Sequence, residues 1–408
     1  MVAVGRGGLA VERQWNQFRG PDNGSGLWDA KGVPTRFGEG SPEIQWKVPI
    51  RGKAWSSPVV WGDRIWFTTA PEDGRELFAI CLDASTGKVV HDIKVFDVAD
   101  PQFCHPANSY ASPTPYVEEG RVYVHFGRYG TACLDTRTGR KIWERRDLLC
   151  DHWRGPGSSP VVDGDLLFVN FDGYDRQFVV ALDKHTGRTV WLRDRNIDYG
   201  TDNGDRKKAY GTPSVIVVNG RKQLISPAAV ATIAYDALTG EEIWKVYHGG
   251  MNACARVVSG HGLVYICAGD GDNKLVAVRS TGRGDVTRTH IVWSSGKSVP
   301  RRPSPLLIGD WLFLVSDEGV ASCRDARTGE ILWIRRLGGR YWASPVAVDG
   351  KIYFFSQDGK IPVVAIDDEF RLLAENRLEH GFNASTAFVG NRMILRTYRH
   401  VYCVSAAR

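Results

Sequence analysis

One turn motif recurs along the chain at nearly constant spacing, and it constrains the fold more than any other feature. The pattern Asp-x-x-Thr-Gly occurs at Asp83, Thr86 and Gly87; at Asp135, Thr138 and Gly139; at Asp183, Thr186 and Gly187; at Asp236, Thr239 and Gly240; and at Asp325, Thr328 and Gly329. A degraded copy has Arg279 in the Asp place, ahead of Thr281 and Gly282. Successive glycines stand 52, 48, 53, 42 and 47 residues apart. Asp and Thr side chains bond nearby backbone N–H groups and Gly supplies a positive φ, so each copy reads as a tight turn. In four copies a Trp stands four residues after the Gly: Trp143, Trp191, Trp244 and Trp333. A large ring at a fixed offset in a strand suits packing between neighbouring sheets.

A second motif opens each unit: Ser57-Pro58, Ser112-Pro113, Ser159-Pro160, Thr212-Pro213, Ser304-Pro305 and Ser344-Pro345. Apolar strand residues follow, then hairpin turns at Gly62, Gly120, Gly164, Gly220, Gly262, Gly309, Gly350 and Gly390. Those turns predict eight units of four short strands, here called A to D, which is the anatomy of a propeller blade. A solenoid shares the periodicity but explains the chain ends less well. The last unit carries strands A to C and stops, while residues 43–50 (EIQWKVPI) read as a lone strand D with Trp46 in the Trp column. The expected fold is therefore all-β: an eight-bladed β-propeller of four-stranded antiparallel blades, with the N-terminal strand closing the C-terminal blade. Residues 1–14 read as a flexible tail and 15–408 as one propeller domain.

Composition agrees. The chain has 408 residues, 43% hydrophobic and 11% aromatic, enough for a large core, and its 45 Gly and 19 Pro suit many turns. The net charge of +6 carries no basic run, so no nucleic-acid partner is expected. No stretch of about 18 apolar residues predicts a membrane span. No signal-type apolar stretch stands at the N-terminus.

The repeat S-P-x-V-x-x-G…A-L-D-x-x-T-G-x-x-x-W resembles the PQQ-like propeller repeat of quinoprotein dehydrogenases and of the outer-membrane assembly lipoprotein BamB. Residues 15–26 (WNQFRGPDNGSG) resemble the leader of a large group of bacterial PQQ-like propellers. The resemblance covers roughly residues 15–408. It implies a periplasmic or extracytoplasmic location, and it speaks for fold far more than for activity.

Aligning the blades explains most of the eight cysteines. Two residues before each turn Asp, or its equivalent, stand Cys81, Cys133, Ala181, Ala234, Ala277, Cys323, Ala365 and Cys403. Cys and Ala alternate in one column, which predicts small buried residues. Cys254 and Cys267 read as core residues of strands A and B of one unit. Cys104 beside His105, and Cys150 near His152, lie in the loops joining strand D to the next strand A. For these the alternatives are no bond, a disulfide or a metal site.

The loops from D to A border the funnel of a propeller. Here they carry Lys53, Trp55, Tyr110, Arg154, Lys208, Tyr210, Arg301, Arg302, Arg340 and Trp342. Converging cations and aromatic rings predict a funnel for an anionic ligand or an acidic peptide. The alternative is a structural ion-pair ring, with Asp172, Asp175, Asp270 and Asp317 of the B-to-C loops neutralising the cations in place. A quinoprotein-like oxidoreductase acting on an alcohol or sugar would need PQQ, calcium ligands and an aspartate base. No vicinal cysteine pair, CxxCH, GxSxG, HExxH or Walker motif occurs. No catalytic residue is assigned, and PQQ with calcium finds no supporting motif. The expected protein is a non-catalytic, monomeric propeller that binds a protein partner or a small anionic ligand.

Overall fold

The computed structural model describes residues 14–407. The expected tail, residues 1–14, lies outside them except for Gln14. The strands form eight sheets in up-and-down order. Blades 1 to 7 span residues 59–97, 116–145, 161–194, 214–247, 258–295, 306–336 and 346–377. Blade 8 takes strands A to C from residues 387–404 and strand D from Ile44–Pro49. That strand pairs antiparallel with His400–Val404, Trp46 opposite Cys403 and Val48 opposite Val401. The N-terminal closure read from the sequence is thus the one observed. Two sheets carry an extra short parallel strand, Leu27–Trp28 on blade 7 and Gly284–Asp285 on blade 4. No helix among the described residues is long and apolar enough to cross a membrane.

The turn motif works through its side chains. Asp183 Oδ1 accepts hydrogen bonds from the Thr186 N–H and hydroxyl, both at 2.8 Å, and the Thr186 hydroxyl accepts from Arg188 N at 3.3 Å. The other four complete copies repeat this arrangement.

The Trp column joins one blade to the next. Trp191 donates its indole N–H to Ala237 O at 3.1 Å, just after the turn Asp of the following blade, and its ring covers Gly240 of that turn. Trp46, Trp143 and Trp293 make the same contact with Ala84, Lys184 and Ala326. Trp293 escapes the sequence pattern because an insertion separates it from Gly282. Blade 1 uses His91, whose Nε2 lies 3.2 Å from Thr136 O. Trp244 is buried but bonds Gln223 within its own blade, since the turn it would meet is the degraded one.

Across each strand D lies the small-residue column. Cys133, Ala181, Ala234, Ala277, Cys323 and Cys403 sit opposite Trp143, Trp191, Trp244, Trp293, Trp333 and Trp46. A small side chain there leaves room for the indole. All four cysteines of the column are buried and unpaired. Cys81, Cys133, Cys323 and Cys403 are therefore expected to stay unlabelled by an aromatic disulfide reagent until the protein unfolds; rapid native-state labelling of all four would contradict this packing.

Two alignments need correction. In blade 2 the opening pair is Thr114-Pro115, not Ser112-Pro113, because strand A starts at Tyr116. In blade 7 the column residue is Val363, not Ala365. Ala365 pairs with Lys351 as the turn aspartates do with the start of strand B, and Asp367 acts as a decoy.

Candidate functional site

The opening residues of the blades build the wall of the central channel. Ser57 N donates to Thr114 Oγ1, Thr114 N to Ser159 Oγ, and Ser159 N to Thr212 Oγ1, at 2.9–3.0 Å. The belt continues from Ser304 to Ser344, Ser385 and back to Ser57. Blade 5 replaces the hydroxyl residue with Arg256, whose N–H still reaches Ser304 Oγ.

That arginine fastens a floor across the channel. Residues 15–26 cross its lower end and bond the innermost strands. Trp15 O accepts from Val60 N, and Asn16 O from Val117 N. Arg256 donates to Phe18 O at 2.7 Å and to Gln17 Oε1 at 3.1 Å. Arg19 donates to Pro305 O at 2.6 Å, and Gly26 O accepts from Ala347 N. The crossing requires glycine where it turns. Gly20 has φ +76°, and a Cβ there would stand 2.6 Å from the Trp15 ring. A Cβ on Gly24 would meet the Arg256 guanidinium at 2.2 Å. Both arginines are buried among oxygens that carry no formal charge, and burial pulls each down to about 9.

Above this floor opens a funnel. Phe18 forms its base. Trp55, Tyr210 and Trp342 supply aromatic wall, Asn108, Asn252 and Asn383 supply amides, and His105, Arg154 and Arg302 complete the polar lining. No carboxylate lines it among the described residues.

The ten expected funnel residues divide. Trp55, Arg154, Tyr210, Arg302 and Trp342 face the funnel. Lys53 and Arg340 sit at its rim beside Trp55 and Trp342; Arg340 is exposed and has no ion pair among the described residues. Tyr110 turns away, is buried, and donates to Gln102 O at 2.7 Å. Lys208 is buried behind the wall, bonded to Asp205 and lying 5.9 Å from the Trp153 ring centre. Arg301 pairs with Glu318 and stands 3.7 Å from Asp270. Arg302 bonds Asp317 at 2.7 Å while its guanidinium packs over Trp342. Part of the cation set is therefore neutralised by Asp270 and Asp317, as the ion-pair alternative required. Asp172 instead forms a buried bidentate pair with Arg195, and Asp175 accepts from Asp151 N.

Arg154 stands 3.9 Å from Asp205, so that carboxylate serves both Lys208 and Arg154. His105 is held below its usual pKa first by burial and then by Arg154, Lys208, Arg302 and Lys53.

The cysteine–histidine candidates do not assemble. Cys104 and Cys150 are both free thiols. Cys104 Sγ faces Arg154 O at 3.6 Å, and Cys150 Sγ lies 3.5 Å from Nε2 of His152. Burial pushes the Cys104 thiol up to about 11 and His152 down to about 4. Cys254 is not in a strand: it lines the funnel, with Sγ 3.1 Å from Asn252 O.

Sequence reasoning missed Phe18 and Arg256. The first lies outside the repeat, and the second was marked only by the lack of a Ser-Pro pair in blade 5. Also missed was an exposed aromatic row beside the rim. Phe103 and Trp153 lie 5.5 Å apart, and Trp153 and Tyr174 6.2 Å. All three rings are exposed by more than two-fifths, and Trp153 has φ +57°, a costly conformation for a bulky residue.

A family model described as outer membrane protein assembly factor BamB matches residues 21–220, 151–335 and 229–406 in overlapping stretches. The chain belongs to this family. Residues 15–20 of the leader that floors the channel lie outside the matched residues. Tetrathionate hydrolase of Acidithiobacillus ferrooxidans is 21% identical over 252 residues, 55% of this chain and 48% of that protein, so the chain spans about half the length of this relative. BamB of Moraxella catarrhalis superposes with a TM-score of 0.63 at 15% identity, covering 89% of this chain and 99% of that one. Quinohemoprotein alcohol dehydrogenase of Comamonas testosteroni gives 0.67 at 11% identity, covering 98% and 82%. At these identities the likeness to this BamB-family propeller is one of fold.

Proposed function

We propose that this propeller is a non-catalytic binding module whose funnel holds an acidic, extended segment of a partner protein. The observation that carries the reading is the make-up of the funnel: Arg154 and Arg302 face into it between Trp55, Tyr210 and Trp342, and no carboxylate lines it among the described residues. An acidic side chain entering there meets Arg154 and Arg302, and amides at Asn108, Asn252 and Asn383 offer partners for a peptide backbone. Lys53 and Arg340 extend the attraction to the rim. The exposed row of Phe103, Trp153 and Tyr174 favours a protein over a small anion. It adjoins His105 and Arg154 in the chain and offers apolar area that a small ligand in the funnel would leave wet.

The oxidoreductase alternative fits the lining less well. Among the described lining residues calcium would find amides but no carboxylate, and no aspartate is placed to act as a base.

The test is selection of binding peptides from a random-sequence display library, followed by titration of the enriched peptides. Acidic sequences should emerge, with affinity falling as salt rises. Arg154→Ala and Trp342→Ala should each weaken binding by roughly tenfold or more. Enrichment of neutral or basic peptides indifferent to both variants would overturn the reading. Stoichiometric, calcium-dependent uptake of PQQ would replace it with the alternative.

A further inference from the structure

A different group of side chains gathers at the seam where the ring closes. Glu379 and His380 lie in the loop that follows strand D of blade 7, Leu372–Arg377. His400 opens strand C of blade 8 and pairs with Pro49 of the N-terminal strand. One carboxylate oxygen and two imidazole nitrogens from these residues lie within 4.8 Å of one another. The two imidazoles are stacked nearly parallel, 5° apart in tilt, with centroids 5.5 Å apart. Nδ1 of His400 is buried with no hydrogen-bond partner among the described residues.

The surroundings favour a cation. Lys47 Nζ bonds Glu379 at 2.7 Å and Glu39 at 3.2 Å. Glu39 also accepts from Glu379 N and the Tyr402 hydroxyl. Two carboxylates, Glu379 and Glu39, face the one ammonium of Lys47, so the cluster keeps one negative charge beside two imidazoles.

We propose that Glu379, His380 and His400 form a zinc-type divalent metal site that clasps the closing seam of the propeller. Two imidazoles and a carboxylate suit zinc, nickel or copper, whereas calcium and magnesium take oxygen ligands. Tetrahedral zinc ligands stand about 3.4 Å apart, so each ligand atom must move inward by under about one ångström, and one imidazole must turn out of the parallel stack so that both ring lone pairs point at the ion. Rotation of partly exposed side chains supplies this. When Glu379 turns toward the metal, Lys47 retains Glu39. Water fills the fourth position. The ion joins the last interblade loop to blade 8, whose outer strand comes from the other end of the chain, and so couples occupancy to ring closure.

The test is calorimetric titration of the full chain with zinc chloride, with calcium and magnesium chlorides as controls, alongside thermal unfolding. The expected result is saturable zinc binding, absent for calcium and magnesium, and a higher unfolding midpoint with zinc. His380→Gln and His400→Gln should each lower zinc affinity by roughly tenfold or more, while Cys104→Ser leaves it unchanged. Should His400→Gln fold poorly, His380→Gln decides, because that side chain lies on a loop. Zinc affinity unaltered in His380→Gln, or no saturable zinc binding by the native chain, overturns the proposal.

Discussion

A chain lacking residues 1–50 is expected to lose cooperative unfolding and to aggregate. The deletion strips strand D from blade 8, leaving His400–Val404 with an open row of backbone donors and acceptors. It also removes Trp15, Trp28, Phe37 and Trp46, each packed in or against the core. At roughly 3–5 kcal/mol for each large aromatic, their loss matches or exceeds the whole stability of an ordinary domain. Beneath the funnel, Arg256 would lose both Phe18 O and Gln17 Oε1 and remain a buried cation with too few acceptors. Size-exclusion chromatography and calorimetry read the outcome. A product of native size with one sharp transition would contradict closure by this strand.

Closure, blade number and the buried columns were legible in the sequence because each repeats, and repetition turns a weak local signal into a firm one. The features that were not legible are those fixed between blades or outside the repeat. The Trp column announced burial but not its partner, since the carbonyl it reaches stands some forty residues on, as Trp143 and Lys184 show. Blade 7 was misread because Ala365 fills the Asp place while Asp367 imitates it. The floor of the funnel comes from a segment with no periodicity at all. Within the site, sequence put Arg301 and Arg302 in the right loop, and Asp270 and Asp317 in facing loops. Whether four such charges pair or point at the axis depends on loop paths that composition does not encode. The structure pairs Arg302 with Asp317 yet leaves its guanidinium on Trp342, so the same residue serves both arrangements.

Replacing Trp191 with Ala is expected to destabilise the protein by about 3–5 kcal/mol, from lost burial together with the cavity left behind. The ring is only 5% exposed and packs against Phe168 and Tyr235, so two blades lose contact at once. Ala181 opposite is too small to fill the space, and Gly240 beneath the ring is held in its turn at φ +70°. Trp191→Phe keeps most of the apolar contact but leaves Ala237 O without its indole donor, and should cost about 1–3 kcal/mol. Trp153→Ala serves as the control. That ring is exposed and its removal relieves a left-handed backbone of a bulky side chain, so stability should move by within about 0.5 kcal/mol. Urea unfolding of the three variants measures the order. If Trp191→Ala falls within the range of Trp153→Ala, the tryptophan-to-turn contact is not what holds neighbouring blades together. If Trp191→Phe equals Trp191→Ala, the hydrogen bond rather than the buried ring dominates, and the packing account of the column fails.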